Sequence, residues 1–168
     1  ITNLSNLVSS SGVVASDTTG VGTARSDLAA AGYGLDKAIF AFGYTGSVTN
    51  LSNLVNNSGV VASDTAGVGT ARFGLAAAEY GVGLAIFGYG DTSGVVSLTN
   101  LVNNSGVVSA DVTGVGTARQ ILAAAGYGTD KAIFGYGHST LSMTNLVSNS
   151  GVVASDVSGV GTGRFSLA

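Results

Sequence analysis

Four aspartates recur through the chain at a fixed offset from four arginines: Asp17, Asp64, Asp111 and Asp156 each stand eight residues before Arg25, Arg72, Arg119 and Arg164. Carboxylates at such a period could make a ring of metal ligands or acid groups. They could equally be structural, because the planar guanidinium fork of Arg matches a carboxylate. One carboxylate per repeat, set among Ser, Thr and Gly, points to the structural role: each caps a turn or pairs with the Arg of its own or the next unit. The remaining acids are Asp27, Asp36, Glu79, Asp91 and Asp130. Glycoside hydrolysis needs two carboxyl groups about 5 to 9 Å apart in one cleft, and nothing pairs these five. Asp36 and Asp130 occupy the same Asp-Lys turn of two units, while Glu79 replaces the glycine found at Gly32 and Gly126.

The one histidine, His138, sits beside Ser139, but adjacency in sequence does not build a catalytic triad, which is defined by geometry. Cysteine is absent, which removes thiolate metal sites and cysteine nucleophiles and leaves the redox compartment unspecified. Gly20-Val21-Gly22 and its copies resemble phosphate loops only superficially, since no following Lys and no strand-loop-helix context accompany them. They read as turn glycines. No catalytic residue, metal site or cofactor is predicted.

Composition narrows the partners. With 45% hydrophobic and 9% charged residues the chain is not of the disordered type. No stretch reaches the roughly 18 to 20 apolar residues of a membrane-spanning helix. Net charge is −3 with six Lys and Arg, too few to neutralise a row of phosphates, so nucleic acid is excluded as an expected partner. The chain starts at Ile1 with no charged-then-apolar leader, which reads as a mature fragment or a piece of something longer.

What organises these residues is a tandem repeat. The word GVGTAR ends at Arg25, Arg72 and Arg119, and GVGTGR ends at Arg164, at spacings of 47, 47 and 45. LAAAGYG or LAAAEYG follows each full copy, then AIF, NLV, SGVV and Asp. The units run 25–71, 72–118 and 119–163, flanked by partial units 1–24 and 164–168. The two-residue difference falls between AIF and NLV: Phe40 to Asn53 and Phe87 to Asn100 are 13 apart, and Phe134 to Asn145 are 11. Length change marks a surface loop. Short Val-, Ile-, Phe- and Tyr-bearing segments between Gly, Asn, Ser and Asp clusters predict an all-β fold. Four antiparallel strands per unit are expected, through 28–33, 38–42, 48–55 and 59–64 and their cognates. Ala triplets such as Ala29 to Ala31 are too short to nucleate a helix and suit a crowded inner strand.

The run from Arg119, R-x-x-L-A-A-A-G-Y-G-x-D-K-A-I-F-G-Y-G, resembles the blade of kelch-repeat β-propellers, the architecture of the galactose oxidase central domain. The resemblance spans essentially the whole chain and implies about 47 residues per four-stranded blade. Two departures stand out. A Tyr separates the glycines in Gly88-Tyr89-Gly90 and Gly135-Tyr136-Gly137, and valines such as Val60 and Val61 stand where a kelch Trp is expected. The copper enzyme of that architecture needs Tyr, His and Cys ligands, which one His and no Cys cannot supply. Three and a half blades imply either part of a longer propeller or a propeller completed by a second copy of the chain.

Positions that differ between units are where specificity would lie. One group follows the aromatic-glycine word: Tyr44 and Thr45, Asp91 and Thr92, His138 and Ser139. The other follows the Arg: Ser26, Phe73, Gln120 and Phe165. Loops joining strand two to three and strand four to one leave a four-stranded blade on the same side, so both groups are expected on one face. The sequence thus predicts a non-enzymatic binding or structural module that presents a loop face to a protein or glycan, with self-association as a second mode. Low charge and near-identical Gly-, Ser-, Thr- and Asn-rich units also suit a virion or cell-surface component such as a phage fibre or adhesin domain, and hence an extracellular or virion-surface location.

Overall fold

A computed structural model describes residues 1–167; Ala168, the last residue of the final partial unit, lies outside the described residues. The fold is all-β, with no helix among the described residues. Nine strands form in chain order: β1 (Ala29–Tyr33), β2 (Lys37–Ala41), β3 (Ser52–Val55), β4 (Ala76–Tyr80), β5 (Leu84–Gly88), β6 (Thr99–Val102), β7 (Ala123–Tyr127), β8 (Lys131–Gly135) and β9 (Thr144–Val147). They make three three-stranded antiparallel sheets, β1-β2-β3, β4-β5-β6 and β7-β8-β9, one per repeat. Register is identical in each: Ala31 pairs with Ile39 as Ala78 pairs with Ile86 and Ala125 with Ile133.

The predicted first and second strands are present to within a residue or two. The third is shorter than expected, because the chain reverses direction before it. Phe42, Tyr89 and Tyr136 adopt left-handed backbone (φ 64°, 66° and 63°), which ends the second strand and turns each ring out of its own sheet. Val48 then pairs only with Tyr44, and Val95 with Asp91, closing a tight loop.

The predicted fourth segment meets the third strand in isolated pairs only. Val55 lies opposite Val61 and Ser52 opposite Thr65, so three steps along β3 match four on the returning segment. That extra residue is a β-bulge, and it breaks the ladder. Its repair is chemical: Asn53 Nδ2 donates to Ala62 O (3.0 Å) and to Asp64 Oδ1 (2.9 Å), and Asn100 and Asn145 do the same in the next units. The turn into the segment is built by Asn56 Oδ1, which accepts from Ser58 N–H and Val60 N–H at 2.9 Å each before Gly59 (φ 78°).

Sheets stack in sequence order, closest through their first strands, β1 against β4 and β4 against β7. The Ala triplets permit this approach, since Ala76 and Ala78 are buried while larger side chains fill the space further out. Between the first two sheets lie Tyr33, Ile39, Phe42, Phe87 and Val102; between the second and third lie Tyr80, Ile86, Tyr89, Phe134 and Val147. Backbone bonds stitch the seams: Gly43 N–H donates to Arg72 O, Gly90 N–H to Arg119 O and Gly137 N–H to Arg164 O at 2.9 to 3.1 Å. No helix of the described residues is long and apolar enough to cross a membrane.

Candidate functional site

The Asp-Arg set resolves into a structural hub in each unit, with the Arg pairing to the Asp of its own unit. Arg72 is fully buried. Its Nε donates to Tyr89 O (2.8 Å), Nη1 to Thr70 O (3.0 Å) and Nη2 to Asn100 Oδ1 (2.6 Å), while Asp111 Oδ1 lies 3.8 Å from Nη1. Asp111 in turn accepts from Thr70 N–H and Thr70 Oγ1, the latter at 2.6 Å. Arg25 with Asn53 and Asp64, and Arg119 with Asn145 and Asp156, repeat the arrangement. Asp17 accepts from Asn6 (2.9 Å), and Arg164, which is exposed, donates to Tyr136 Oη (3.0 Å).

Three of the guanidinium groups also lie against an aromatic ring of the preceding unit: Arg72 over Phe42 (4.3 Å to the centroid), Arg119 over Tyr89 (4.2 Å) and the exposed Arg164 over Tyr136 (4.2 Å). This is the role of the aromatic residue that follows each second strand, Phe42, Tyr89 or Tyr136. Its left-handed backbone, which costs of order 1–3 kcal/mol, delivers the ring to the next unit's Arg, where a desolvated cation–π contact contributes about 2 kcal/mol.

The electrostatics agree with structural pairing. Loss of solvent pulls the Arg72 pKa down to about 10, with Asp111 acting against that fall, so it remains a cation at neutral pH. Asp64 is held below the usual carboxylate range, first by the Thr23 hydroxyl and then by Asn53, Thr23 N–H and Arg25, despite partial burial. For Asp111 and Asp156 burial pushes upward, but the Thr hydroxyl, the Asn amide, the Thr N–H and the Arg charge together outweigh it. A carboxylate with a depressed folded-state pKa stabilises the fold above its unfolded value and loses that contribution as pH falls through the folded one. The urea midpoint is therefore expected to be flat from neutrality to about pH 5 and to fall progressively below about pH 4. The Asp111→Asn variant should show a shallower acid decline.

The unit-varying residues converge. Ser26 and Tyr44 exchange both backbone hydrogen bonds (3.0 and 2.9 Å), Phe73 and Asp91 do likewise (3.1 and 2.9 Å), and His138 N–H donates to Gln120 O (2.8 Å). Between units, the Tyr44 ring meets Phe73 at 5.8 Å and the His138 ring meets Phe165 at 5.7 Å. The two variable groups therefore alternate along one strip: Ser26, Tyr44, Phe73, Asp91, Gln120, His138, Phe165. Beneath it, a column of left-handed residues links the units, Gly74 N–H donating to Asp27 O, Ile121 N–H to Gly74 O and Ser166 N–H to Ile121 O at 2.7 to 3.3 Å. Thr45 and Ser139 are exposed at the strip's border, and Thr92 is half-buried there. Gln120 Oε1 is buried and has no hydrogen-bond partner among the described residues.

His138 Nδ1 and Ser139 Oγ are 3.4 Å apart on an exposed loop. Glu79, on β4, is exposed, and its carboxylate lies over Gly32 of the neighbouring first strand, where a side chain would crowd it. Asp36 and Asp130 contact the lysines that follow them. Among the described residues no three His, Asp or Glu side chains converge as a metal site would need.

What sequence reasoning missed is the Asn hub. Asn53, Asn100 and Asn145 stand in every NLV word, and their recurrence was the available signal; their partners lie in other segments and become visible only in the folded chain. Compared with known proteins, the chain matches no protein-family model and no curated sequence.

Proposed function

We propose that the chain is a set of kelch-like β-propeller blades acting as a non-catalytic recognition module, with the strip from Tyr44 to Phe165 as its binding surface for a glycan or protein. The observation that carries this is the alternation itself. Residues that differ between otherwise near-identical units are gathered edge to edge, on a backbone whose hydrogen bonds repeat from unit to unit. Aromatic faces at Tyr44 and Phe73 on one side and Phe165 on the other flank the polar stretch Asp91, Gln120 and His138, which suits a sugar chain, whose apolar faces stack on rings and whose hydroxyls bond polar side chains. Support for blades comes from sheets that approach most closely at their first strands, as spokes do, and from the bulged return segment, which stands where a fourth strand belongs.

Self-association is the second reading, favoured by the face of the last sheet. Tyr127 is 42% exposed where its cognates Tyr33 and Tyr80 are 3% and 4%, and Leu146 is 41% exposed beside it. A further unit of the same kind would cover both. An exposed setting on a virion or cell surface fits the low charge and the tandem sequence.

The test is a glycan array, with a protein pull-down in parallel, comparing the chain with a Phe73→Ala, Asp91→Ala, His138→Ala variant. Capture by the parent chain and loss of at least about tenfold in affinity by the variant is expected, with a stability change of about 1 kcal/mol or less because these side chains lie at the rim. A binder indifferent to the three substitutions would move the surface elsewhere.

A further inference from the structure

The turn that leads into each return segment is built alike in every unit, yet the side chain that closes it differs. Asn56 Oδ1 and Asn103 Oδ1 each accept from the N–H groups two and four residues on, at 2.9 to 3.0 Å. In the third unit the Ser148 hydroxyl accepts both bonds, from Ser150 N–H (3.3 Å) and Val152 N–H (3.1 Å). A hydroxyl therefore serves the turn, and the amide nitrogen of Asn56 and Asn103 is surplus to it. The orientation of both amides is fixed, because an atom that accepts two N–H bonds must be the oxygen. The nitrogen on the other branch then faces away from the turn, and it bonds no partner among the described residues.

Sequence and exposure give this nitrogen a chemistry. Asn56-Asn57-Ser58 and Asn103-Asn104-Ser105 are Asn-x-Ser sequons, the acceptor pattern for N-linked oligosaccharide. The Asn and Ser of both are exposed. Asn103 is exposed with a complete unit on either side, 25–71 and 119–163, so neighbouring units do not cover this turn. Two other sequons, Asn3-Leu4-Ser5 and Asn50-Leu51-Ser52, are committed to the fold. Their amide nitrogens donate to Gly22 O and Gly69 O at 2.7 Å, and Asn50 is half-buried with Ser52 buried beside it. The exposed turns also lie apart from the recognition strip. Val55 at the end of β3 pairs with Ala38 at the start of β2, and Asn57 Nδ2 donates to Asp36 Oδ2 (3.1 Å) in the turn before it, whereas the strip is built from loops at the other end of β2.

We infer that Asn56 and Asn103 are acceptor sites for N-linked glycan, one in each of the first two complete units, on the side of the blades away from the strip. The co-reactant is an oligosaccharide carried on a lipid diphosphate. The amide nitrogen attacks C1 of the sugar, and the N–C1 bond forms as the C1–O bond to the diphosphate breaks. The amide gives up one proton to a base of the transferase, and the diphosphate leaves with the electron pair. No oxidant or reductant takes part. The amide oxygen is untouched, so a modified Asn keeps both bonds of its turn. These sites stand or fall independently of what the strip binds.

The full chain is expressed behind a cleavable secretion leader in a eukaryotic host, and secreted and cell-retained protein are read alike. Peptide N-glycosidase in heavy-oxygen water converts each glycosylated Asn to a labelled Asp, which peptide mass spectrometry locates. Label at both Asn56 and Asn103, above any at Asn3 and Asn50, is expected. Ser58→Ala and Ser105→Ala remove the hydroxyl that the sequon requires and leave the Asn acceptor in its turn, so each should remove one glycan, seen as a single downward step on a gel. Asn56→Ser and Asn103→Ser, which reproduce the turn at Ser148, should do the same. No label at either Asn, label at Asn3 and Asn50 equal to theirs, or glycans that survive the paired Ser→Ala changes would each overturn the inference.

Discussion

Replacing Arg72 with alanine is expected to remove about 4 kcal/mol of stability, most of what a domain this size has to spare. The guanidinium is fully buried, and its loss opens a cavity between the first two sheets while leaving Asn100 Oδ1, Tyr89 O and Thr70 O short of a donor. Large-to-small changes in a core cost about 3 to 5 kcal/mol, and each stranded acceptor adds to that. The Phe42 ring also loses the cation against which it lies. Arg164→Ala provides the contrast. That arginine occupies the same place in the repeat but is exposed, with Tyr136 as its side-chain partner among the described residues, so its removal should cost under about 1 kcal/mol. Urea melts of the two variants side by side check the difference. Equal effects would mean that the hub contributes nothing beyond a surface contact.

Gly67→Ala is expected to be nearly as damaging, at about 3 kcal/mol. Gly67 opens its GVG word, and its φ is ordinary, so backbone freedom is not the reason for glycine. A Cβ there would fall inside van der Waals contact of the Asn50 carbonyl oxygen and side chain. Gly20, Gly114 and Gly159 meet Asn3, Ser97 and Ser142 in the same way, while the second glycine of the word, such as Gly69 (φ 83°), is left-handed and also lies too close to Asn100 and Asp111 to admit a Cβ. One word thus holds two glycines on different grounds, close approach alone at the first, close approach together with conformation at the second. Gly46→Ala serves as the control for conformation alone. Its φ is 109° with open space around it, so it should cost only about 1 kcal/mol. Thermal or urea unfolding of both variants separates clash from backbone strain.

The sequence carried the parts of this fold that are local or periodic. The repeat, the first two strands of each unit, the surface loop between Phe134 and Asn145, and the service of Asp64, Asp111 and Asp156 to their arginines could all be read from spacing. So could the grouping of Tyr44, Phe73, Asp91, Gln120, His138 and Phe165, because loop connectivity in an antiparallel unit decides which turns share a side. Illegible were features decided by contacts between distant segments. The aromatic between the glycines looks like an interruption until its ring is placed against the following unit's Arg. The return segment looks like a plain strand, Gly59 to Asp64, because a bulge is a mismatch in count between two strands and neither shows it alone.

The bulge carries a further consequence. Near-identical neighbours rich in valine are liable to exchange strands with one another or to recruit other molecules along a free edge, and the return segment of every unit bears an exposed valine there, Val60, Val107 and Val152 at 61%, 60% and 65%. A flat strand of that composition would template aggregation. The extra residue opposite Ser52–Val55 kinks the edge and interrupts its run of free N–H and C=O groups, and the Asn side chain occupies the carbonyl next to the kink. Protection of the edge in this chain is therefore written into the backbone of each repeat rather than into surface charge, of which it has little.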